Sequence, residues 1–263
     1  MPTIHSTALV DPGAEIAADA EIGPFALIGP KVCIGAGTRI GAHAVVTGRT
    51  RIGADNRIHP FSVIGGEPQD KKYGGEDTAL EIGDRNVIRE YCTLHVGTVQ
   101  DGGVTRVGSD NWIMAYVHIA HDCQVGDHTT FANNAQLAGH VHVGDWAVLG
   151  GYTGVHQFVR IGAHVMTGIS SVVLQDVPPY VLVAGNPARP HGINAEGLRR
   201  RGFDSARIAA LRTAYRLLYR SGHSLDQARD ALRAQGADRP EAASDLDLLR
   251  EFLERPGRGI VRP

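Results

Sequence analysis

"EIGPFALIGPKVCIGAGTRIG", residues 21–41, places isoleucine at 22, 28, 34 and 40, each followed by glycine. The period is six. An α-helix repeats every ~3.6 residues and a plain strand every ~2, so neither produces it. Read outwards, the same phase holds Ile16, Ile22, Ile28, Ile34, Ile40, Val46, Ile52, Ile58 and Ile64, and resumes at Ile82, Ile88 and Leu94. After a slip of one residue it runs from Val107 through Ile113, Ile119, Val125, Phe131, Leu137, Val143, Leu149 and Val155 to Ile161, with Thr167 the only miss before Val173. A coil of short strands, turned every six residues, fits this pattern. The aliphatic points inward, and the small or β-branched residue two positions earlier (Ala20, Ala26, Thr38, Ala44, Thr50, Ala135, Ala147) packs in a narrow interior. Glycine is expected to relieve the backbone at the corners. Three strands close a triangular coil of eighteen residues, and stacked coils pair as parallel strands about 4.8 Å apart. The composition agrees: 33 glycines and only 6% aromatics suit a prism one side chain wide, with no room for rings. The expected fold class is all-β plus α, a parallel β-helix with a helical appendage.

Two stretches interrupt the period. Residues 65–81 lose the apolar pattern and residues 96–106 break its phase; both are polar and glycine-rich. They read as loops extruded from the prism. Long loops in a tight solenoid are usually functional, with a solvated insertion as the bland alternative. After "DVPPYVLVAGNPARP" (176–190) the period stops, so the expected division is a β-helix over 1–190 and a helical domain over 191–263. There "LRRRGFDSARIAALRTAYRLLYRSG" reads as one helix with Ile208, Leu211, Tyr215 and Leu218 on a common face. "SLDQ" (224–227) is a capping box opening a second helix. "EAASDLDLLREFLERPG" is a third, stopped by Pro256 and Gly257, with Leu248, Leu249, Phe252 and Leu253 packing onto the others. Seven arginines and one acid lie between 198 and 220, and Arg212, Arg216 and Arg220 form a stripe along one helical face. That stripe is either a solvated face or a dock for an acidic partner or phosphate.

"HIAHDC" (118–123) offers two imidazoles, a carboxylate and a thiol in six positions. An eighteen-residue coil stacks His121 under Gly139 and Gly139 under Gln157; it stacks Asp122 under His140 and His140 under Phe158. An imidazole beneath a residue without a side chain is the layout of a general base beside a backbone oxyanion donor. Zinc is the second reading, since His118, His121, His140, His142 and His156 cluster on neighbouring coils, but it needs convergence to within ~2.0–2.1 Å of one ion. Polar surface histidines are the third. Cys123 takes a small inward position and reads as core.

Composition excludes several classes. A formal net charge of −2 gives the whole molecule no attraction for nucleic acid or membrane. Cys33, Cys92 and Cys123 are too few and too scattered for a disulfide framework and suit a reducing, cytoplasmic setting. The N-terminal stretch lacks a signal-peptide pattern, and no segment approaches the ~18 apolar residues of a membrane span.

The hexapeptide repeat with "HIAHDC", "NNAQLAGHV", "GGYTGVHQF", "IGAHVM", "DVPPYV" and "NAEGLRRRGF" closely resembles the bacterial UDP-N-acetylglucosamine O-acyltransferases of lipid A biosynthesis, nearly end to end. The resemblance implies a left-handed parallel β-helix, against the usual right-handed crossover, a C-terminal helical domain and a homotrimer. It implies transfer of an (R)-3-hydroxyacyl group from acyl carrier protein to the glucosamine 3-hydroxyl of UDP-N-acetylglucosamine. No metal or cofactor is implied, the donor being carried on the phosphopantetheine of the carrier protein. By this resemblance His121 is the general base, Asp122 its orienting carboxylate and Gly139 the oxyanion donor. His118, His140, His156 and Gln157 line the cleft between subunits. Asp70 and Lys72 in "PQDKKYGGE" contact the sugar nucleotide, with His95 near the same pocket. Asn194, Glu196, Arg200 and Arg201 form the nucleotide end, and Arg212, Arg216 and Arg220 meet the acidic carrier protein. Ile169 stands where long-chain relatives carry glycine. A buried side chain of this size shortens the acyl groove, which predicts a donor of about ten to twelve carbons on close-packing grounds. Three rivals share the solenoid: the later N-acyltransferase of the pathway, which carries an extra domain before its repeats whereas here they begin by residue 16; a γ-type carbonic anhydrase, which needs zinc; and a non-catalytic repeat protein.

Overall fold

A computed structural model describes residues 1–254 and 257–263. Strands of two to five residues build three sheets of eleven, nine and eight strands, and every pairing is parallel except one at the C-terminal end. Successive coils are in the expected register: His118 pairs with Gln136, and Gln136 with Gly154. The aliphatics counted by six fill the interior, with Ile64, Ile88, Ile113, Ile119, Leu137 and Leu149 all at 0% exposure. Thr167 also points inward. The Gly150 N–H donates to its hydroxyl at 2.8 Å, and Thr153 bonds it at 2.7 Å, so the one polar step is satisfied. At several steps the small inward position is taken instead by buried Asn56, Asn86 and Asn111, which hydrogen-bond from coil to coil.

Two expectations need correction. The corners are not relieved by the glycine that follows each aliphatic. Gly35, for example, is required by close approach, because a Cβ there would lie 2.5 Å from the carbonyl carbon of Gly53. The left-handed corner positions are held mostly by non-glycine residues with φ of 55–70°, with Gly37 at φ +65° an exception. The aromatic rings, expected to be crowded out, sit at these corners on the outside of the prism. At the corner from the first sheet to the second, Phe25, His43, Phe61, Tyr91 and Tyr116 stack at 5.0–5.2 Å with interplanar angles of 14° or less. Left-handed backbone costs roughly 1–2 kcal/mol per residue, and each ring pair returns about 0.5–1.5 kcal/mol. Phe131 and Tyr180 are the exceptions, both fully buried.

The extruded segments run between Val63–Gly66 and Ala79–Ile82, and between Thr93–His95 and Val104–Val107, so residues 65, 66, 79–81 and 104–106 belong to strands. Both segments leave at the same corner, from the second sheet to the third. The flanking strands keep register across them, Val63 on Thr93 and Thr93 on His118.

At the C-terminal end Val181–Ala184 pairs antiparallel with Arg189–Ile193. Four helices follow: α1 Ala195–Arg200, α2 Ser205–Tyr219, α3 Leu225–Asp238 and α4 Ala243–Glu254. The single helix expected from residue 198 is thus two, because Gly202 takes φ +81° and Asp204 caps α2 by accepting from the Arg207 N–H. The capping box at Ser224 and Gln227 is formed as read. Leu248 does not pack among the helices; it is 38% exposed and faces the prism with Phe252 across a groove of about 720 Å³. Pro256, expected to stop α4, lies outside the described residues. Arg207 anchors the domain through a two-pronged ion pair to Asp245 at 2.8 and 2.9 Å, and Asp245 also accepts from the Tyr180 hydroxyl.

Candidate active site

The chain turns from His118–Ile119 to Gln124–Val125 at the same corner from which both segments are extruded. Asp122 takes the left-handed position at φ 60°, which a short polar side chain tolerates. Its carboxylate is 1% exposed and accepts three hydrogen bonds: from the Thr98 N–H at 2.8 Å, the Thr98 hydroxyl at 2.6 Å and His121 Nδ1 at 2.8 Å. Burial works to raise its pKa, but the bonds from His121 and Thr98 prevail and hold it below the usual carboxylate range. An ionised carboxylate only accepts, so His121 donates from Nδ1, and the neutral ring has its lone pair on Nε2. The ring lies directly beneath Gly139. A Cβ built there would stand 2.5 Å from His121 Cε1 and 2.6 Å from Nε2. Only glycine leaves room for the ring. Among the described residues none accepts from the Gly139 N–H, so that donor is available.

His140 occupies the left-handed position one coil above Asp122, at φ 63°. Its ring stacks on Phe158 at 4.3 Å and meets His121 edge-on at 5.0 Å. Its Nδ1 lies 2.8 Å from Asp101 Oδ2 and 3.9 Å from Asp122 Oδ2. On the neighbouring sheet, His118 Nδ1 bonds the Thr93 hydroxyl at 2.8 Å, and His95 Nδ1 donates to the Glu67 carbonyl at 2.6 Å. Burial pushes the His118 pKa down to about 4, helped by His95 and His121, and burial likewise lowers His95. Both imidazoles are neutral at pH 7. His95 Nε2 is buried without a partner, a lone pair waiting for a donor. His156 bonds the Gln157 carbonyl at 3.1 Å, and Gln157 is exposed.

The remaining predicted residues sit elsewhere. Asp70 accepts from the Lys72 N–H within a turn of the first segment, and the hydrogen bonds described for the pair do not tie it to the His121 corner. Asn194 is 3% exposed and serves as the N-cap of α1, accepting from the Gly197 N–H and donating to the His164 carbonyl. Glu196 pairs with Arg199 and Arg200. Arg201 lies over Trp146 at 5.3 Å and against His164, at the corner from the third sheet to the first. Ile169, expected to be buried, is 74% exposed beside the corner from the first sheet to the second. Arg212, Arg216 and Arg220 line a depression of about 500 Å³ together with Arg239, which the stripe argument missed because it follows α3. His121, Asp122 and His140 place ligand atoms within 4.8 Å of one another and form the set suited to a metal ion, two imidazoles and a carboxylate rather than three imidazoles.

Residues 176–261 match the family described as Udp N-acetylglucosamine O-acyltransferase, domain 2, and residues 34–66 and 105–139 match the bacterial transferase hexapeptide repeats. The acyl-[acyl-carrier-protein]–UDP-N-acetylglucosamine O-acyltransferase of Thiobacillus denitrificans is 64% identical over 262 residues, with both chains covered in full. This chain belongs to the UDP-N-acetylglucosamine O-acyltransferase family. A Janthinobacterium acyltransferase of the same name is 59% identical over the full length. The solved UDP-N-acetylglucosamine O-acyltransferase structures from Acinetobacter baumannii and Moraxella catarrhalis superpose with TM-scores of 0.94 and 0.95, at 51% and 48% identity, each covering 98% of this chain and 99% of the other. Within this O-acyltransferase chain, sequence reasoning missed Thr98, Asp101 and Thr93 as partners of the site histidines. The phase break at 96–106 was the available signal: it marked the segment but not where its side chains land.

Proposed function

We propose that the chain transfers an (R)-3-hydroxyacyl group from acyl carrier protein to the glucosamine 3-hydroxyl of UDP-N-acetylglucosamine, with His121 as general base. The carrying observation is the His121 ring, bonded through Nδ1 to Asp122 and lodged with Nε2 under the Gly139 backbone. The substrate hydroxyl gives its proton to Nε2 as its oxygen forms a bond to the thioester carbonyl. The carbonyl oxygen becomes an oxyanion, and the Gly139 N–H donates to it. Collapse breaks the carbon–sulfur bond, and the imidazolium returns its proton to the departing phosphopantetheine thiolate. Asp122 holds the tautomer and balances the imidazolium charge. A thioester is already an activated donor, so no metal enters this sequence.

The chain works as a homotrimer in this reading. His121, Arg201 and Ile169 lie at three different corners of one prism. Neighbouring chains around a threefold axis bring unlike corners together, which suits a long substrate bound between subunits. His95 Nε2 is the natural acceptor for a hydroxyl or amide of the sugar, and Arg200 and Arg201 suit the diphosphate. Arg212, Arg216, Arg220 and Arg239 steer the acidic carrier protein. Ile169, exposed on the single chain, becomes a wall of the acyl groove against a neighbour.

The deciding experiment is an assay with UDP-N-acetylglucosamine and carrier proteins charged with 3-hydroxyacyl chains of ten to fourteen carbons. We expect preference for about ten to twelve carbons on packing grounds, and a shift to fourteen in Ile169→Gly. Preference for the fourteen-carbon donor by the unmodified enzyme, or unchanged preference in the variant, would overturn the role given to Ile169. Absence of transfer from any donor would overturn the substrate assignment.

A further inference from the structure

We infer that Asp101 is a positioning residue that makes His140 a second carboxylate-anchored imidazole beside the base, with its Nε2 held as acceptor for a substrate hydroxyl. This rests on the proposed reading of the His121 corner.

The second extruded segment is tied down at Thr98, whose N–H and hydroxyl both donate to Asp122. From that anchor a single 3-10 turn, Val99–Asp101, closed by Gly102 at φ +77°, carries Asp101 to His140. His140 is boxed in by Phe158 against one face and by His121 edge-on. The remaining freedom of the ring is a flip that exchanges Nδ1 with Cδ2 and Nε2 with Cε1, together with the choice of which nitrogen carries the proton. Asp122 does not decide that flip, because its oxygens already take two bonds from Thr98 and one from His121, and its Oδ2 is 3.9 Å from His140 Nδ1. Asp101, at 2.8 Å, does. Its carboxylate fixes the proton on Nδ1 and leaves the lone pair on Nε2, as second partners do for other functional histidines. Two imidazoles with ring centroids 5.0 Å apart therefore present the same tautomer. One lone pair takes the attacking hydroxyl. The other receives a second hydroxyl, supplied either by the sugar or by the 3-hydroxyl of the acyl chain.

The test uses Asp101→Ala and Asp101→Asn in the full-length enzyme. Asparagine keeps an oxygen that accepts from Nδ1–H; alanine does not. We expect kcat/KM to fall about 10–100-fold in the alanine variant, the range seen when the partner of a functional imidazole is removed, with substantial recovery in the asparagine variant and little change in melting temperature. Ring nitrogen-15 resonances, assigned to residue 140 by their loss in His140→Gln, should report Nδ1–H in the native and asparagine enzymes and a shift toward Nε2–H in the alanine variant. Two arms identify the hydroxyl. If it is on the acyl chain, Asp101→Ala erases discrimination between 3-hydroxyacyl and unsubstituted acyl donors of equal length. If it is on the sugar, the variant erases discrimination between UDP-N-acetylglucosamine and its 6-deoxy analogue. Unchanged kcat/KM and tautomer in the alanine variant overturn the inference. So does a loss that asparagine fails to restore and that tracks a lowered melting temperature, which marks a merely structural loop contact. His121→Ala separates the two readings: activity retained there defeats the base assignment, whereas an inactive His121→Ala beside an unimpaired Asp101→Ala defeats only this inference.

Discussion

Two corners of one prism share a backbone and differ in chemistry. Both hold a left-handed non-glycine residue in successive coils. At one corner Phe25, His43, Phe61, Tyr91 and Tyr116 form a parallel ladder with nothing inserted between them. At the other, Asp122, His140 and Phe158 occupy the equivalent positions, but His121 and His140 meet at 89° and carboxylates fill the gaps. The ladder corner continues from coil to coil without interruption. The histidine corner begins directly beyond two coils whose corners were extruded, and the second segment folds back to supply Thr98 and Asp101. The scaffold sets positions; the inserted segment supplies polar partners.

This contrast predicts that changes at the histidine corner remove turnover and spare stability, while changes at the ladder do the reverse. His121→Ala should lower kcat by about 10²–10⁴-fold, measured at saturating substrates. Retained turnover would erase the distinction. Gly139→Ala should also lower kcat by about 10²–10⁴-fold, the scale of a displaced general base, because the new methyl evicts the His121 ring while the backbone N–H is kept and the backbone conformation remains permitted. A smaller pH effect sharpens the comparison. His118 titrates at about 4 in the fold and near 6.5 when unfolded. The unfolded chain therefore binds more protons in that window, and stability is lost as pH falls from about 6.5 to about 4, by at most about 1.4 kcal/mol per unit. His164, also at about 4 because of burial and Arg201, adds in the same direction. Denaturant melts across this window should flatten in His118→Gln. Asp122, held low, makes its own loss felt only at more acid pH. Smallest of all, Tyr91→Leu breaks two ring contacts in the exposed ladder. It should cost about 1 kcal/mol of unfolding free energy and leave kcat unaltered.

Much of this was legible in the residues. Isoleucine at every sixth position predicts eighteen residues per coil, and that number alone sets His121 under Gly139. The failures have physical causes. A repeat rule says where a coil goes but nothing of a segment that leaves it, so Thr98 and Asp101 were invisible. Left-handed corners suggest glycine, yet stacking lets Phe, Tyr, Trp and His hold them, so the rings were misplaced. The capping role of Asn194 also went unread, although asparagine before a short helix is a standard capping choice, and its amide bonds Gly197 and His164. Ile169 was expected to be buried, and on the single chain it is exposed.

Both extruded segments depart and return with the coil register kept on either side, Val63 on Thr93 and Thr93 on His118, at the cost of one bulge between Ile64 and Gly66, although the coils containing them have different lengths. Closing a longer loop adds only about 0.6 kcal/mol per doubling. The histidine corner is thus an interchangeable tool-holder: grafting another eight-residue piece between His95 and Val104 would refit the chemistry while every isoleucine of the interior stayed where it is.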